Sequence, residues 1–159
     1  MKTLIIGLGN ELYGDDGVAI HVIRQLKKEK RKLKRDLPPS EEIDLEECRL
    51  SGLSLLEVIT GYGRLIIIDT IKKTDPETGR IHRLKVKDLR HIPGPSPHYV
   101  SVPQTLAIGK KLGLRVPEEI KIIAVEAKNM YNLGEGLSPE MTEALPSIVQ
   151  EVRNALKKR

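Results

Sequence analysis

The chain has 159 residues, a formal net charge of +5 and one cysteine, Cys48. This length is enough for one domain with its own core, and the single cysteine excludes an internal disulfide and a cysteine-rich metal site. Phe and Trp are absent, so we expect a core of Ile, Leu and Val. No segment has the roughly 18 apolar residues of a membrane span, and the chain opens on a strand without a signal peptide. Together these features predict a cytoplasmic protein.

The positive charge is concentrated in residues 24–35 and in Lys157–Arg159. We interpret these clusters as a solvated helix end and a tail. A docking patch for an acidic protein surface is the alternative. Nucleic acid is not expected as a partner, because no aromatic residues interleave with the charges and no known binding motif is present.

The first predicted element is a strand over Thr3–Ile6, since this run is apolar and β-branched. A glycine-containing turn over residues 7–10 ends it. Asp15 and Asp16 follow, where a helical pattern begins. Open α/β sheets bind ligands at the carboxyl ends of their strands, so two adjacent carboxylates there predict a site. Helix capping explains one of the two aspartates, with Asp15 the expected cap, but it does not explain both.

A nucleotide-binding loop is the obvious alternative for this turn. The dinucleotide fingerprint requires glycine where the chain has Leu12, and an acidic residue about 20 positions further on, where residues 27–32 are mostly basic. Asp15 and Asp16 occupy the helix entrance that a pyrophosphate would need, and their charge repels phosphate. No Walker sequence follows. Nucleotide binding is therefore disfavoured.

The remaining elements alternate between helices and strands. In chain order, the patterns predict a helix from Asp15 to about Lys34, a strand over Ile43–Cys48, a helix over Leu53–Thr60, a central strand over Leu65–Asp69, an edge strand over Ile81–Val86, a helix over Ser101–Leu112, a strand over Ile120–Val125 and a last helix starting at Ser138-Pro139. This alternation predicts one domain over residues 1–159, an α/β/α sandwich of three layers with a mostly parallel sheet. The edge strand can run antiparallel.

Two further polar residues fall at comparable places. Asp69 ends the most hydrophobic strand, and His98 lies in the loop before a helix. A charge at the end of an Ile-rich strand is costly unless it is paired or binds a ligand. With Asp16, these residues would suit a divalent ion such as nickel or zinc, or an acid/base set. The plain alternatives are that Asp69 only terminates its strand and that His98 is an ordinary loop histidine. The other histidines are interpreted as surface or packing residues: His21, His82 and His91.

Four short segments are weak motifs when taken singly, but their order and spacing together are specific. They are Gly7–Asn10 with Gly14–Val18, Leu65–Asp69, Ser96–His98 followed by Leu106, and Gly136–Pro139. With them the chain resembles, over nearly its whole length, the maturation endopeptidases of nickel–iron hydrogenases. It departs from that pattern at Glu47–Gly52, where relatives more often have an Asp-Gly-Gly-Thr type of turn, and at Tyr99, where they often have a polar residue.

The resemblance implies an endopeptidase that removes a C-terminal peptide from the nickel-loaded precursor of a hydrogenase large subunit. The metal-contacting positions of the family map onto Asp16, Asp69 and His98, with Asp16 and Asp69 as the catalytic carboxylates. Nickel is expected to arrive with the substrate, so no tightly held cofactor is expected. The precursor is the expected partner, without nucleic acid or membrane, and the protein is expected to be a monomer.

The residues leave two questions of mechanism and function open. Polarisation of the scissile carbonyl by the metal and activation of water by a carboxylate both fit this residue set. No zinc-protease helix or serine elbow is present, and Cys48 lies in no nucleophile motif. The alternatives to the endopeptidase are a nickel-checking chaperone that binds the precursor without cutting it and, less favoured, a nucleotide-binding domain.

Overall fold

The computed structural model describes residues 1–50, 53–91, 102–128, 133–134 and 136–157. Within these residues, the strands are β1 (Lys2–Leu8), β2 (Glu42–Cys48), β3 (Arg64–Ile71), β4 (Ile81–Leu84) and β5 (Glu119–Glu126). The α-helices are α1 (Val18–Lys28), α2 (Lys30–Arg35), α3 (Ser54–Ile59), α4 (Val102–Lys111) and α5 (Pro139–Lys157). Two 3-10 helices span Gly14–Gly17 and Val86–His91.

The strands form one sheet in the order β2-β1-β3-β5-β4. β1 pairs in parallel with β2 and β3, and β3 pairs in parallel with β5. β4 pairs antiparallel with β5 at the edge of the sheet. Parallel neighbours need long crossover connections, which the helices supply. The predicted mostly parallel sheet and its antiparallel edge strand are both confirmed.

Helices cover both faces of the sheet. α1 and α5 pack on one face, against Ile66 and Ile68 of the central strand. α3 and α4 pack on the other face, against Leu65 and Ile67. Successive side chains of a strand point to opposite faces, and every residue of β3 is buried between these two layers. The three-layer α/β/α sandwich with an aliphatic core is therefore confirmed.

The helix predicted from Asp15 to about Lys34 was wrong as a single element. The structure has a 3-10 helix first, then α1, and then a break at Glu29, where ψ is 12°. Like charges three or four residues apart destabilise a continuous helix, and residues 27–35 carry basic side chains at most positions. α2 nevertheless buries Leu33 in the core, which holds this basic turn against the domain.

A buried arginine fastens the last helix to the amino edge of the sheet. The Arg64 side chain, at the start of β3, is fully buried. Its Nη1 donates to the carbonyl oxygen of Leu156 at 2.8 Å, and its Nη2 donates to that of Ala155. Its Nε lies 3.0 Å from Oε1 of Glu119. A buried cation is tolerated only when it is paired, so this set fixes the end of α5 far from the carboxyl edge.

No helix in the described ranges has the length and hydropathy to cross a membrane.

Candidate active site

The strand order creates a crevice between β1 and β3. The chain leaves β1 to form β2 on one side and returns to form β3 on the other, so neighbouring connections diverge at this point. Ligands of open α/β sheets bind outside the carboxyl ends of strands at such a switch point. The ladder between β1 and β3 ends at the pair Gly7 and Ile68, whereas β3 continues to Ile71. Asp69 and Thr70 therefore lie beyond the last pair with β1.

Asp16 lies in the 3-10 helix after β1 and is held through both carboxylate oxygens. The residue is 9% exposed. Its Oδ2 accepts a hydrogen bond from the backbone N–H of Asn10 at 2.8 Å. Its Oδ1 accepts one from the hydroxyl of Thr70 at 2.9 Å. A carboxylate has about four lone-pair sites, so two of them can still accept a proton or a metal ion.

Gly9 allows the loop after β1 to fold back this tightly. A Cβ atom at Gly9 would lie 2.1 Å from the backbone carbonyl oxygen of Asp16. Such a distance is far below van der Waals contact, and the obstacle is backbone that cannot rotate away. Only glycine fits at this close approach, which explains the glycine in the loop that positions Asp16.

Asp69 is fully buried at the end of β3. Its Oδ1 accepts a hydrogen bond from the backbone N–H of Thr70 at 2.7 Å. Thr70 thus bonds to both carboxylates, and their nearest oxygen atoms lie within roughly 10 Å of each other. By strand alternation, Asp69 shares the α3 and α4 face with Ile67 and Ile71. Thr70 lies on the opposite face, where its hydroxyl meets Asp16.

Asp15 has a different partner from the one expected. Its two carboxylate oxygens accept from the backbone N–H of Ser138 at 2.7 Å and from its hydroxyl at 2.8 Å. The Ser138 oxygen in turn accepts from the N–H of Met141 at 3.3 Å, as the cap of α5. The expectation that Asp15 caps the helix it begins was therefore wrong, because it supports the cap of the last helix instead.

His98, the third predicted ligand, lies outside the described residues. Within the described ranges no group of three His, Cys, Asp or Glu side chains could hold a metal ion. Asp16 and Asp69 are the two predicted ligands that the structure places, and it joins them through Thr70. The proposed set of three stays a prediction.

The interpretation of His82 as an unpaired surface or packing residue was wrong. Its Nε2 lies 2.6 Å from Oε2 of Glu126, at the end of β5. Burial alone raises the pKa of Glu126, but hydrogen bonds from His82 and from the backbone N–H of Glu77 outweigh burial and leave that pKa lowered. The pair was missed because the two residues are 44 positions apart and meet only through the antiparallel edge.

Cys48 is unsuited to act as a nucleophile, although it ends β2 at the same edge of the sheet. The residue is buried and has a free thiol. Burial raises the pKa of this thiol, which disfavours the thiolate, the nucleophilic form. This agrees with the sequence, which shows no nucleophile motif around Cys48.

Charged residues tie the two loops at the rim of the crevice together. Oε2 of Glu11 lies 2.7 Å from Nη1 of Arg24, and its Oε1 lies 3.0 Å from Nη2 of Arg49. Arg24 also pairs with Glu47 at 3.1 Å. Arg49 and Glu47 belong to the segment in which the chain departs from the pattern of the family it resembles. Exposed pairs of this kind contribute little stability each, but they link the departing segment to the loop that carries Asp16.

Sequence reasoning missed Thr70 and Ser138, the partners that hold the two adjacent aspartates. Thr70 is a fully buried polar residue directly after Asp69. The signal available in the sequence was that two polar residues, Asp69 and Thr70, directly follow a run of three isoleucines. Ser138 was correctly predicted as a helix cap, but its bond to Asp15 spans 123 positions, and no local pattern indicates such a contact.

Comparisons with known proteins identify the family and the fold of the chain. Residues 20–155 match the family model of the HycI hydrogenase maturation proteases. A Methanocaldococcus jannaschii protein assigned as a hydrogenase maturation protease is 27% identical over 98% of this chain and 96% of its own length. The [NiFe] hydrogenase maturation protease HybD from Thermococcus kodakarensis is 25% identical, with a TM-score of 0.70 over 99% of this chain and 100% of that one.

A further solved structure shows the same fold at lower identity. The hydrogenase maturating endopeptidase HybD from Escherichia coli is 22% identical, with a TM-score of 0.76 over 99% of this chain and 93% of that one. The family match covers most of the sheet, its helices and the strand that carries Asp69 and Thr70. The chain therefore belongs to the hydrogenase maturation protease family, whose members are endopeptidases.

Proposed function

We propose that this endopeptidase removes a C-terminal peptide from the precursor of a hydrogenase large subunit once nickel has been inserted. Membership of the family supports the reaction class. The observation that carries the site assignment is that Asp16 and Asp69 are bound by one residue, Thr70, at the switch point of the sheet. Carboxylate oxygens at neighbouring strand ends are suitable ligands for a divalent cation, and the nickel of the substrate is such a cation.

In this proposal, Asp16, Asp69 and His98 contact the nickel ion that the substrate brings. α4 begins at Val102, four residues after His98 in the sequence, and packs on the face of the sheet that Asp69 shares. A short segment before α4 can therefore bring an imidazole to this edge. Two carboxylates and one imidazole leave coordination positions for ligands of the precursor itself. No ion needs to be resident in the free protein.

Recognition and cleavage are coupled in this arrangement. Because the ion arrives bound to the precursor, its contact with Asp16 and Asp69 places the scissile bond beside the same carboxylates. Hydrolysis then adds the hydroxyl of water to the carbonyl carbon and its remaining proton to the leaving amine. A precursor without nickel lacks the ion that these residues contact, so it is not positioned for cleavage. The ion thus signals that nickel has been inserted and that the C-terminal peptide can be removed.

The test compares nickel-loaded with nickel-free precursor. Both forms of the large subunit are incubated with the protein, and the products are followed by mass spectrometry. We expect loss of a C-terminal peptide from the nickel-loaded form alone. Equal cleavage of both forms would contradict nickel recognition, and binding without cleavage of either form would favour a chaperone instead.

We further propose that residues 1–159 form a single domain that acts in the cytoplasm as a monomer, with the precursor as its partner. The free thiol of Cys48 suits a reducing compartment. Sedimentation at micromolar concentration should give the mass of one chain, 17.8 kDa. A stable dimer under these conditions would contradict this part of the proposal.

A further inference from the structure

We propose that Thr70 is a positioning residue for nickel recognition, and that its hydroxyl holds the Asp16 carboxylate in the orientation that receives the ion. This inference rests on the proposed function, because it assumes that Asp16 contacts nickel. It goes beyond that function by assigning a role to a residue that acts through Asp16.

The contacts of Thr70 divide between its two polar groups. Its hydroxyl donates to Oδ1 of Asp16 at 2.9 Å, and its backbone N–H donates to Oδ1 of Asp69 at 2.7 Å. The residue is fully buried, so its hydroxyl has no contact with bulk water. A change of the side chain removes only the bond to Asp16 and leaves the bond to Asp69 in place. The two carboxylates can therefore be perturbed separately.

Asp16 depends on this hydroxyl because few other groups hold its side chain. In the described residues, the other hydrogen bond to the carboxylate comes from the backbone N–H of Asn10, at 2.8 Å. One bond to one oxygen leaves the carboxylate free to rotate about it, whereas two bonds to two oxygens fix its plane. Hydrogen bonds to ligating carboxylates are worth about 10- to 100-fold in metal affinity. We expect a loss of that size when the Thr70 hydroxyl is removed.

The shape of threonine also favours this role. Its β-branched side chain has few χ1 rotamers, so the hydroxyl points steadily at Asp16. Valine has nearly the same shape but cannot donate a hydrogen bond, and serine donates one without the methyl group. The variants Thr70→Val and Thr70→Ser therefore separate the effect of the hydroxyl from the effect of packing.

Thr3 provides a matched control on the neighbouring strand. It is also a fully buried threonine of a central strand, but its hydroxyl has no hydrogen-bond partner among the described residues. It begins the ladder between β1 and β3, at the end far from Asp69. Thr3→Val removes a buried hydroxyl from the same sheet without affecting the site.

The experiment titrates the whole protein with Ni²⁺ alone. Paramagnetic broadening of the amide signals of Gly9 and Asn10 in NMR spectra reports binding even when it is weak. We expect the apparent Kd of Thr70→Val to rise about 10- to 100-fold, with Thr70→Ser and Thr3→Val close to wild type. Thermal melting checks the folding of each variant. If Thr70→Val does not fold, Thr70→Ala against Thr70→Ser makes the same comparison.

The outcomes distinguish this inference from the proposed function. Loss of Ni²⁺ binding in Asp16→Asn, together with an unchanged Kd in Thr70→Val, would overturn the role of Thr70 and leave the function intact. An equal loss in Thr70→Ser and Thr70→Val would also overturn it, because the hydroxyl would not be the cause. Unchanged Ni²⁺ binding in both Asp16→Asn and Asp69→Asn would instead overturn the metal contacts on which the inference rests.

Discussion

Asp15 and Asp16 are adjacent in the sequence, but they bind different parts of the molecule. Asp16 faces the end of β3 through Thr70, whereas Asp15 holds Ser138 at the start of α5. Their exposures are 1% for Asp15 and 9% for Asp16, so neither residue is a surface charge. In the proposed function, this division gives the first aspartate a role in stability and the second a role in recognition.

We expect Asp15→Asn to be tolerated. Asparagine keeps an oxygen that can accept from the Ser138 N–H, and its amide can donate to the Ser138 hydroxyl. The free energy of unfolding should fall by about 0.5–1.5 kcal/mol, as for one altered hydrogen bond, and cleavage should persist. Urea unfolding and the cleavage assay measure the two effects. Asp15→Ala serves as the comparison, and its loss should be greater because the partly buried Ser138 N–H then loses its acceptor. Loss of cleavage in a folded Asp15→Asn protein would contradict the division.

The sequence alone indicated Asp16 and Asp69 because each follows a strand that is recognisable from its own apolar run. Their shared partner could not be identified, since the bond from Thr70 to Asp16 spans 54 positions. A contact of that range depends on strand order, and strand order depends on which helices cross which face. Local sequence patterns indicate where strands end, but they do not indicate which side chains meet at those ends.

At the scale of elements, Arg64 is a buried anchor between α5 and the sheet. We expect Arg64→Met to lower the free energy of unfolding by about 3 kcal/mol, because Glu119 and the last carbonyl groups of α5 lose their buried partner. Denaturant unfolding measures this loss. Arg31→Met, on the exposed side of α2, is the control and should change stability by less than about 0.5 kcal/mol. Similar effects in both variants would show that the buried position of Arg64 is not the cause.

The contact between β4 and β5 predicts a dependence of stability on pH. The pKa of Glu126 is lowered in the folded protein from its ordinary value of 4.5. A lowered carboxyl pKa contributes stability above the unfolded value, and this contribution is lost as the pH falls through the folded pKa. The wild type should therefore lose stability below about pH 4.5. Nearby charges also include Arg80, at 3.8 Å.

The matched variants for this dependence are Glu126→Gln and Glu143→Gln. The first removes the carboxylate that His82 binds, and the second removes an exposed carboxylate of α5. Chemical unfolding between pH 3 and pH 7 should show a smaller acid loss in Glu126→Gln than in wild type. Glu143→Gln should follow the wild-type curve. An identical acid loss in all three proteins would exclude the Glu126 contact as a source.

The strands and helices also show which element boundaries can be predicted from the spacing of apolar residues. The central strand could be located from Leu65–Asp69 because no other run is as apolar, and the structure extends it by only a few residues. The break between α1 and α2 could not be located in this way, because the apolar face continues across it. Val22 and Leu26 of α1 and Leu33 of α2 all belong to the same core cluster. The apolar pattern therefore does not record that boundary.

For the whole molecule, the proposed function implies that the free protein holds metal weakly. Two carboxylates and one imidazole, without a thiolate, should not retain nickel through purification. Elemental analysis of freshly purified protein should find far less than one equivalent of any divalent metal. Protein incubated with Ni²⁺ and then dialysed should lose the ion again. A stoichiometric metal that survives dialysis would contradict the idea that nickel arrives with the precursor.

The most direct test of the central claim is cleavage of the nickel-loaded precursor by single-site variants. Asparagine at position 16 or 69 keeps the shape and one acceptor oxygen but loses the charge that binds a divalent ion. We expect no detectable product from Asp16→Asn and from Asp69→Asn, a weakened reaction from His98→Ala, and melting temperatures close to wild type in all three. Activity in Asp16→Asn with loss in Asp15→Asn would show that the adjacent pair is assigned the wrong way round. Full activity in both Asp16→Asn and Asp69→Asn would contradict nickel recognition by these carboxylates altogether.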